Sequence, residues 1–267
     1  MAATANPVAH AGTLRPGDSY VQSFARGLDV IRSFSGAAPR QTLTEVATRT
    51  GLTRAGARRI LLTLQTLGYV ESEGKLFTLT PRILDLGFAY LSSMPMWNLA
   101  EPAMEALADQ VKESCSVAVL DGVEIVYVLR VPTRKIMKIA LGVGSRLPAC
   151  CTSLGRVLLA GLPDEEVLRR LAVGPPVQHT RHTITDPAAL LARVQQARRQ
   201  GWAQVNQELE EGLVSIAAPI TNRGGRVVAA LNVSGQANRT SARQMQERML
   251  PPLLAAAQSI SRLLGQA

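Results

Sequence analysis

The sequence predicts an α+β protein built of two domains. Near the N-terminus two short helical patterns meet at a glycine, and an alternating segment follows them. The second half combines amphipathic helices with long runs of strand-forming residues. With 267 residues and 46% hydrophobic content, the chain can fill a second core. We expect a flexible tail over 1–19, a small helical module over 20–80, a connecting helix over 81–94 and a second domain over 95–267.

The composition favours an anionic partner. The chain carries 29 Lys and Arg against 20 Asp and Glu, a formal charge of +9, which suits nucleic acid or acidic ligands. Residues 1–19 lack the basic start and apolar run of a secretory signal, and no stretch approaches the ~20 apolar residues of a membrane helix. We therefore expect a soluble, cytoplasmic protein with no membrane partner.

Residues 43–67, LTEVATRTGLTRAGARRILLTLQTL, have the spacing of a helix-turn-helix. Ala47 places a small side chain where two helices would cross, and Gly51 follows where the turn needs positive φ. Thr42 and Glu45 form a capping box for the first helix, and Thr53 can cap the second.

The second helix of this pair presents a basic side opposite its apolar residues. The N-terminal end of such a helix usually enters the major groove, where arginine reads guanine or binds phosphate. A plain helical hairpin with a solvated basic face is the alternative. We expect DNA contacts from Thr53, Arg54, Ala55, Arg58 and Arg59.

A β-hairpin of wing size is predicted after Leu67, with a polar turn over residues 71–75. Lys75 lies at its tip, within reach of backbone phosphate. Upstream, four apolar residues repeat at helical spacing and supply a further helix; they are Phe24, Leu28, Ile31 and Phe34. Residues 20–80 thus form a winged helix-turn-helix.

The connecting helix is apolar on more than one side over residues 83–91. Such a helix needs a partner, and its twin in a second subunit would provide one. Packing on its own wing is the alternative. A dimer would also present two helix-turn-helix units to half-sites about 10 bp apart.

The second domain is predicted to consist of helices flanking an antiparallel sheet, which is typical of an α+β ligand-binding module. The predicted strands are 115–120, 124–131, 137–141, 215–221 and 226–234. The predicted helices begin at Met96, at Ser153, after the capping Asp186 and at Ser241.

Five basic residues lie on the strands and loop that lead to the Ser153 helix, whose N-terminus favours anions. They are Arg130, Arg134, Lys135, Lys138 and Arg146. We expect most of them to be solvated. Arg134 and Arg146 lie in or beside a loop near the helix start, and we expect one of them to pair with a ligand carboxylate.

The sequence gives little support for an enzyme. His179 and His182 are three residues apart, but no further metal ligands accompany them, and a polar loop is favoured. Ser153 lacks the G-x-S-x-G elbow and a histidine base. We predict no catalytic residue, metal or cofactor, and hence no enzyme, although an enzyme fused to a DNA-binding module stays open.

The cysteines leave a second alternative. Cys115, Cys150 and Cys151 form no CxxC motif and predict no structural disulfide. Cys150 or Cys151 would make the protein a redox-sensing transcription factor if one thiol had a depressed pKa. Buried small hydrophobic residues are the simpler interpretation.

Several separated segments resemble the IclR family of bacterial transcriptional regulators. They are the winged helix, the connecting helix, RLPACCTSLGRVLLA and GWAQVNQELEEGLVSIAAPITNRGGRVVAALNVSG. The finer segments YVQSFARGLDVIRSF, LTRAGARRILLTLQTLGYV and RVPTRKIMKIALGVGSRLPA are similar to the branch that controls catabolism of protocatechuate, 4-hydroxybenzoate and β-ketoadipate.

The resemblance implies a winged helix joined to a GAF-like α/β effector-binding domain with an antiparallel sheet. It also implies a homodimer or homotetramer, a double-stranded DNA operator and a small carboxylic-acid effector. The family pocket falls on Thr152, Ser153, Leu154, Asn206, Ser215, Asn232 and Ser234. Family members often carry aspartate at the position of Asn206 and cysteine at that of Ser215, so this pocket is less acidic.

These observations predict a bacterial transcriptional regulator of aromatic-acid catabolism genes, either a repressor or an activator. An aromatic or dicarboxylic acid would control its operator binding. A helix between the domains would transmit the difference in effector affinity between two arrangements of the dimer.

Overall fold

The computed structural model describes residues 20–93, 96–132 and 141–266. They form two compact units, one comprising residues 20–93 and the other the remainder. Each unit is described by itself.

The first unit is a winged helix. Its elements are α1 (Gln22–Ser33), β1 (Arg40–Thr42), α2 (Leu43–Thr50), α3 (Arg54–Thr66), β2 (Val70–Glu73), β3 (Leu76–Leu79), a 3₁₀ turn (Pro81–Ile83) and α4 (Leu84–Ser92). The strands pair antiparallel in the order β1-β3-β2. The wing hairpin is confirmed. Strand β1 was not predicted, because three residues are too few to show an alternating pattern.

The predicted helix ends in this unit are confirmed. The Thr42 Oγ1 accepts a hydrogen bond from the Glu45 N–H at 3.3 Å, and the Glu45 carboxylate accepts one from the Thr42 N–H at 2.7 Å. Gly51 ends α2 with φ +66°, and the Thr53 Oγ1 accepts from the Gly56 N–H at 3.1 Å. The turn and both caps therefore fix where the two helices meet.

The core of this unit forms between α1, α2 and α3. Val30, Val46, Ala57 and Leu61 are fully buried. Phe24 was expected in this core but is 67% exposed, because α1 contributes to the core through its C-terminal half, where Val30, Ile31 and Phe34 lie.

The second unit is a six-stranded antiparallel sheet with helices on both faces. Its elements are α5 (Met96–Val111), β4 (Ser114–Asp121), β5 (Glu124–Val131), β6 (Arg146–Pro148), α6 (Ser153–Ala160), α7 (Asp164–Val173), α8 (Pro187–Gln200), β7 (Ala203–Asn206), β8 (Leu213–Thr221), β9 (Val227–Gln236) and α9 (Ala242–Gln266). The strand order is β6-β5-β4-β9-β8-β7.

Alternation along β8 and β9 assigns the helices to the faces of this sheet. Ala217 and Ala230 share one cluster with α6 and α8. Gly235 points to the other face, where a Cβ on it would lie 3.3 Å from the Met245 Cε of α9. The layers are therefore α6 and α8, the sheet, and α9.

The sequence missed β6, α7 and β7. Residues 137–140 of the predicted strand 137–141 lie outside the described residues, and Leu141 is not in a strand. Within the described ranges no helix is both long and apolar enough to cross a membrane.

Candidate ligand cavity and nucleic-acid interface

A cavity of about 520 Å³, counted with the space open to solvent, lies between the start of α6 and the sheet. Five apolar residues line it together with eight polar or sulfur-bearing ones; they are Leu141, Leu147, Val205, Leu209 and Leu213, and Tyr127, Arg130, Cys151, Thr152, Ser153, Ser215, Asn232 and Ser234.

The sheet register explains why the polar residues of separate strands share this cavity. Ser215 of β8 pairs with Ser234 of β9, and Asn232 pairs across β4 Ser116 with Arg130 of β5. Directly opposed residues of neighbouring strands point to the same face. Their side chains therefore project from one face of the sheet.

A β-bulge adds Arg130 to that face. Val117 pairs with Leu129 but the next residue, Ala118, pairs with Tyr127, which leaves Val128 as the extra residue of β5. Tyr127 and Arg130 therefore both point toward the cavity, although strict alternation places them on opposite faces. Sequence reasoning expected most of the basic residues to be solvated, and this bulge is the signal it lacked.

The start of α6 adds hydrogen-bond donors. The Thr152 Oγ1 accepts from the Gly155 N–H at 3.1 Å, and the Ser153 Oγ donates to the Ser215 Oγ at 2.9 Å. The first N–H groups of a helix have no partner within it and attract negative charge. With Arg130 also in its lining, the cavity suits a ligand that carries a carboxylate.

Two buried polar groups at the cavity add specificity. The Asn232 Nδ2 donates to the Ser234 Oγ at 2.9 Å, whereas the buried Asn232 Oδ1 has no hydrogen-bond partner among the described residues. Burial raises the pKa of Tyr127 to about 12, partly offset by the charge of Arg130. The phenol therefore stays protonated, and a ligand donor would satisfy the buried amide oxygen.

Five of the residues expected at the pocket lie on the cavity: Thr152, Ser153, Ser215, Asn232 and Ser234. Three others do not. Leu154 is fully buried in the core behind α6, and Asn206 is exposed at the end of β7, while its neighbour Val205 lines the cavity. The third is Arg146.

The expectation for Arg146 needs correction. It pairs with Val126 across β5 and β6, on the face opposite to Leu147 and the cavity. Its guanidinium is held by Asp121 at 2.7 Å and by Glu124 at 2.8 Å, and their hydrogen bonds raise its pKa against the effect of desolvation. The Arg146 guanidinium is thus paired with two carboxylates away from the cavity. Arg134, Lys135 and Lys138 lie outside the described residues.

The three cysteines, Cys115, Cys150 and Cys151, are free and buried. Of the two thiols considered for a redox sensor, only Cys150 has a lowered pKa. A hydrogen bond from the Cys151 thiol lowers the pKa of Cys150, and the same contact with burial raises that of Cys151. His182 accepts a hydrogen bond from Arg181 in a loop, and the part of the chain that the structure describes holds no cluster of three metal-binding side chains.

The candidate DNA-binding residues of the first unit are all exposed. Arg54, Ala55, Arg58 and Arg59 are exposed on α3, directly after the capping Thr53. Lys75 is exposed in the wing turn Gly74–Lys75. Within residues 20–93 no carboxylate lies within ion-pair distance of the four cations Arg54, Arg58, Arg59 and Lys75. Arg40, by contrast, pairs with Glu73. The charges of the four cations are free to meet phosphate.

A winged helix joined in one chain to a ligand-binding sheet defines a ligand-responsive transcriptional regulator. Two family models match the chain: the IclR helix-turn-helix domain over residues 23–74 and the bacterial transcriptional regulator IclR C-terminal domain over residues 88–262. The chain belongs to the IclR family, and it is a DNA-binding transcriptional regulator, not an enzyme.

Individual relatives agree with this assignment. The chain is 43% identical over 242 residues to the Pca regulon regulatory protein of Pseudomonas putida, covering 90% of this chain and 83% of that protein. A transcriptional regulator from Rhodococcus sp. RHA1 is 48% identical with a TM-score of 0.83, covering 92% and 99%. An IclR homolog from Microbacterium hydrocarbonoxydans, solved with 4-hydroxybenzoate, is 26% identical with a TM-score of 0.80, covering 92% and 100%.

Proposed function

We propose that the protein regulates genes of aromatic-acid catabolism in response to a small hydroxylated aromatic acid. The observation that carries this is the cavity itself, which has apolar walls, a cationic donor end with Arg130, and an unpartnered buried acceptor on Asn232. The IclR homolog solved with 4-hydroxybenzoate and the Pca regulon relative support the same ligand class.

The sheet places the two polar ends at a useful separation. Asn232 and Arg130 lie on one row of the sheet with β4 between them, so their strands are about 10 Å apart. We propose that a single aromatic ring lies between a carboxylate at Arg130 and a hydroxyl at Asn232. Leucines on the walls would cover its faces. Arg130 thus replaces Arg146 as our candidate partner of the carboxylate, and Arg134, which lies outside the described residues, stays a candidate.

At the operator, we propose that Thr53, Arg54, Ala55, Arg58 and Arg59 enter the major groove and that Lys75 contacts the backbone. Their exposure and free charge support this role. Contacts from arginine to base edges supply sequence discrimination, and those to phosphate supply affinity.

We further propose a homodimer or homotetramer that uses α4. Leu84 and Phe88 lie one helical turn apart and are 70% and 69% exposed, and Leu86 and Tyr90 are also exposed. Large apolar residues so arranged on one short helix are typical of an interface. A second copy of the same helix would cover them.

Regulation requires that the effector bind one arrangement of the oligomer better than the other. A coupling of about 1–3 kcal/mol between effector and operator binding suffices for a typical response. The effector need not be chemically changed for this purpose.

Calorimetry on the full chain tests the proposed ligand class. The titrants are 4-hydroxybenzoate, protocatechuate, β-ketoadipate and pyruvate, with a thiol reductant present throughout. We expect micromolar binding, about −8 kcal/mol, for a hydroxybenzoate. Binding of pyruvate alone would contradict the aromatic assignment, and absence of binding by the whole panel would contradict a carboxylic-acid effector.

A further inference from the structure

The loop between β7 and β8, residues 207–212, closes one side of the cavity and contributes Leu209 to its lining. It is folded back on itself. The Gln207 N–H donates to the Leu213 carbonyl at 2.7 Å, the Gly212 N–H donates to the Gln207 Oε1 at 2.9 Å, and Gln207 has φ +60°. Few non-glycine residues adopt that conformation, so surrounding contacts must hold the loop.

A buried ion pair provides the first of those contacts. The Arg156 Nη2 of α6 lies 2.5 Å from the Glu208 Oε2, and both side chains are more than nine-tenths buried. The Arg156 Nε also donates to the Cys150 carbonyl at 3.3 Å. Cys150 precedes Cys151, Thr152 and Ser153, which line the cavity. One guanidinium therefore joins two walls of the cavity.

Two hydroxyl groups hold the loop from its other side. The Thr180 Oγ1 donates to the Gln207 carbonyl at 2.6 Å, and the Thr183 Oγ1 donates to the Glu208 carbonyl at 2.6 Å. Glu210 and Glu211 of the same loop are not buried. Of the glutamates in this loop, only Glu208, which faces Arg156, is buried.

Burying an ion pair costs desolvation free energy, and well-packed apolar residues often stabilise a core at least as well. Its two partners do, however, fix each other in one geometry through directional hydrogen bonds. Neither Arg156 nor Glu208 lines the cavity. Their effect on a ligand must therefore be exerted through Leu209 and the 151–153 segment.

We propose that Arg156 and Glu208 are positioning residues that limit the size of the aromatic acid the cavity accepts. The pair holds Leu209 at a fixed distance from the start of α6, and loss of the pair lets the two walls separate. This inference rests on the proposed effector function for its ligand, but the link between the two walls is a property of the protein alone.

The test compares Glu208→Gln with the wild type by calorimetry, using 4-hydroxybenzoate and the larger 6-hydroxy-2-naphthoate. We expect the preference for the smaller acid to fall by about tenfold in the variant, the scale of discrimination by pocket size. The matched control is Glu166→Gln, which breaks the ion pairs with Arg169 and Arg170 on α7 and should leave the preference unchanged. An equal loss of affinity for both acids would overturn the proposal.

Thr183→Val provides a second variant, which leaves no buried charge. It removes the hydrogen bond to the Glu208 carbonyl and those that the hydroxyl accepts from the His179 and Thr180 N–H groups. We expect the preference to fall in the same direction, by at least about threefold. An unchanged preference in both variants would overturn the size-limiting role.

Hydrogen exchange on the ligand-free protein separates this proposal from the effector assignment. In Glu208→Gln we expect the amides of 207–212 and of 150–153 to lose protection together, by at least about tenfold. Loss confined to 207–212 would show that the pair does not join the two walls. If the wild type binds neither acid, the effector assignment fails while this measurement still decides whether the walls are linked.

Discussion

The Ser153 hydroxyl donates a 2.9 Å hydrogen bond to the Ser215 hydroxyl, joining the first turn of α6 to β8 at the cavity. Because Ser153 uses its hydrogen in this bond, the hydrogen of Ser215 is free to point to a ligand oxygen. The two serines thus have different roles: one orients the other.

Ser215→Ala should therefore weaken ligand binding more than Ser153→Ala. A hydrogen bond between neutral groups contributes about 0.5–1.5 kcal/mol, so we expect Ser215→Ala to raise the Kd for 4-hydroxybenzoate by about threefold to tenfold. Calorimetry measures both variants, with Ser241→Ala, before α9, as the control. Equal losses in the two variants would contradict this division of roles.

The unpartnered Asn232 oxygen predicts a preference for ligands that donate a hydrogen bond. We expect 4-hydroxybenzoate to bind more tightly than 4-methoxybenzoate by about 1–3 kcal/mol, because the ether oxygen has no hydrogen to offer. In Asn232→Leu, which is similar in size and has no acceptor, this preference should disappear. A preference that persists in the variant would assign the hydroxyl to another partner.

The free cations of α3 predict a salt-dependent operator affinity. Arg54→Ala and Arg58→Ala should each weaken DNA binding, and a residue that contacts phosphate should lower the salt slope by about 1. A residue that reads a base should instead cost about 1–3 kcal/mol on the preferred sequence. Fluorescence anisotropy at several salt concentrations distinguishes these effects, with the exposed Arg193 of α8 mutated to Ala as a control. Unchanged affinity in both variants would remove α3 from the interface.

The exposed apolar residues of α4 predict its role in assembly. Phe88→Glu should shift the protein toward the monomer, because it places a charge in an apolar contact. Light scattering after size-exclusion chromatography measures the mass. Leu168→Glu, which alters an exposed leucine of α7, is the matched control. A monomeric wild type, or loss of assembly only in Leu168→Glu, would contradict the assignment.

Local signals predicted the first unit well because its helix ends depend on neighbouring residues. The Thr42–Glu45 capping box, the Thr53 cap and the left-handed Gly51 need no distant partner. The prediction that Phe24 lies in the core was wrong, because apolar spacing identifies a helical face without showing how far along the helix the core extends.

The cavity was harder to predict, because its residues meet only through the register of separate strands. Arg130 reaches it through a bulge at Val128, and Arg146 faces away because it pairs with Val126. Neither fact is visible in hydrophobic alternation. The resemblance to a family named Thr152, Ser153 and Ser215, which line the cavity, and also Asn206, which is exposed.

Gly155 predicts how closely α6 must approach the segment that precedes it. A Cβ added there would lie 2.1 Å from the Ala149 carbonyl oxygen and 2.3 Å from its Cα, and both are backbone atoms that cannot rotate away. Gly155→Ala should therefore displace the start of α6, lower the free energy of unfolding by about 1–3 kcal/mol or more, and impair effector binding. Gly87→Ala in α4 is the control, because an added Cβ meets nothing within 4 Å and alanine favours a helix by about 1 kcal/mol. Thermal unfolding and calorimetry measure the two effects, and a Gly155→Ala protein as stable as Gly87→Ala, with unchanged effector affinity, would show that the approach of α6 to Ala149 is not needed for the cavity.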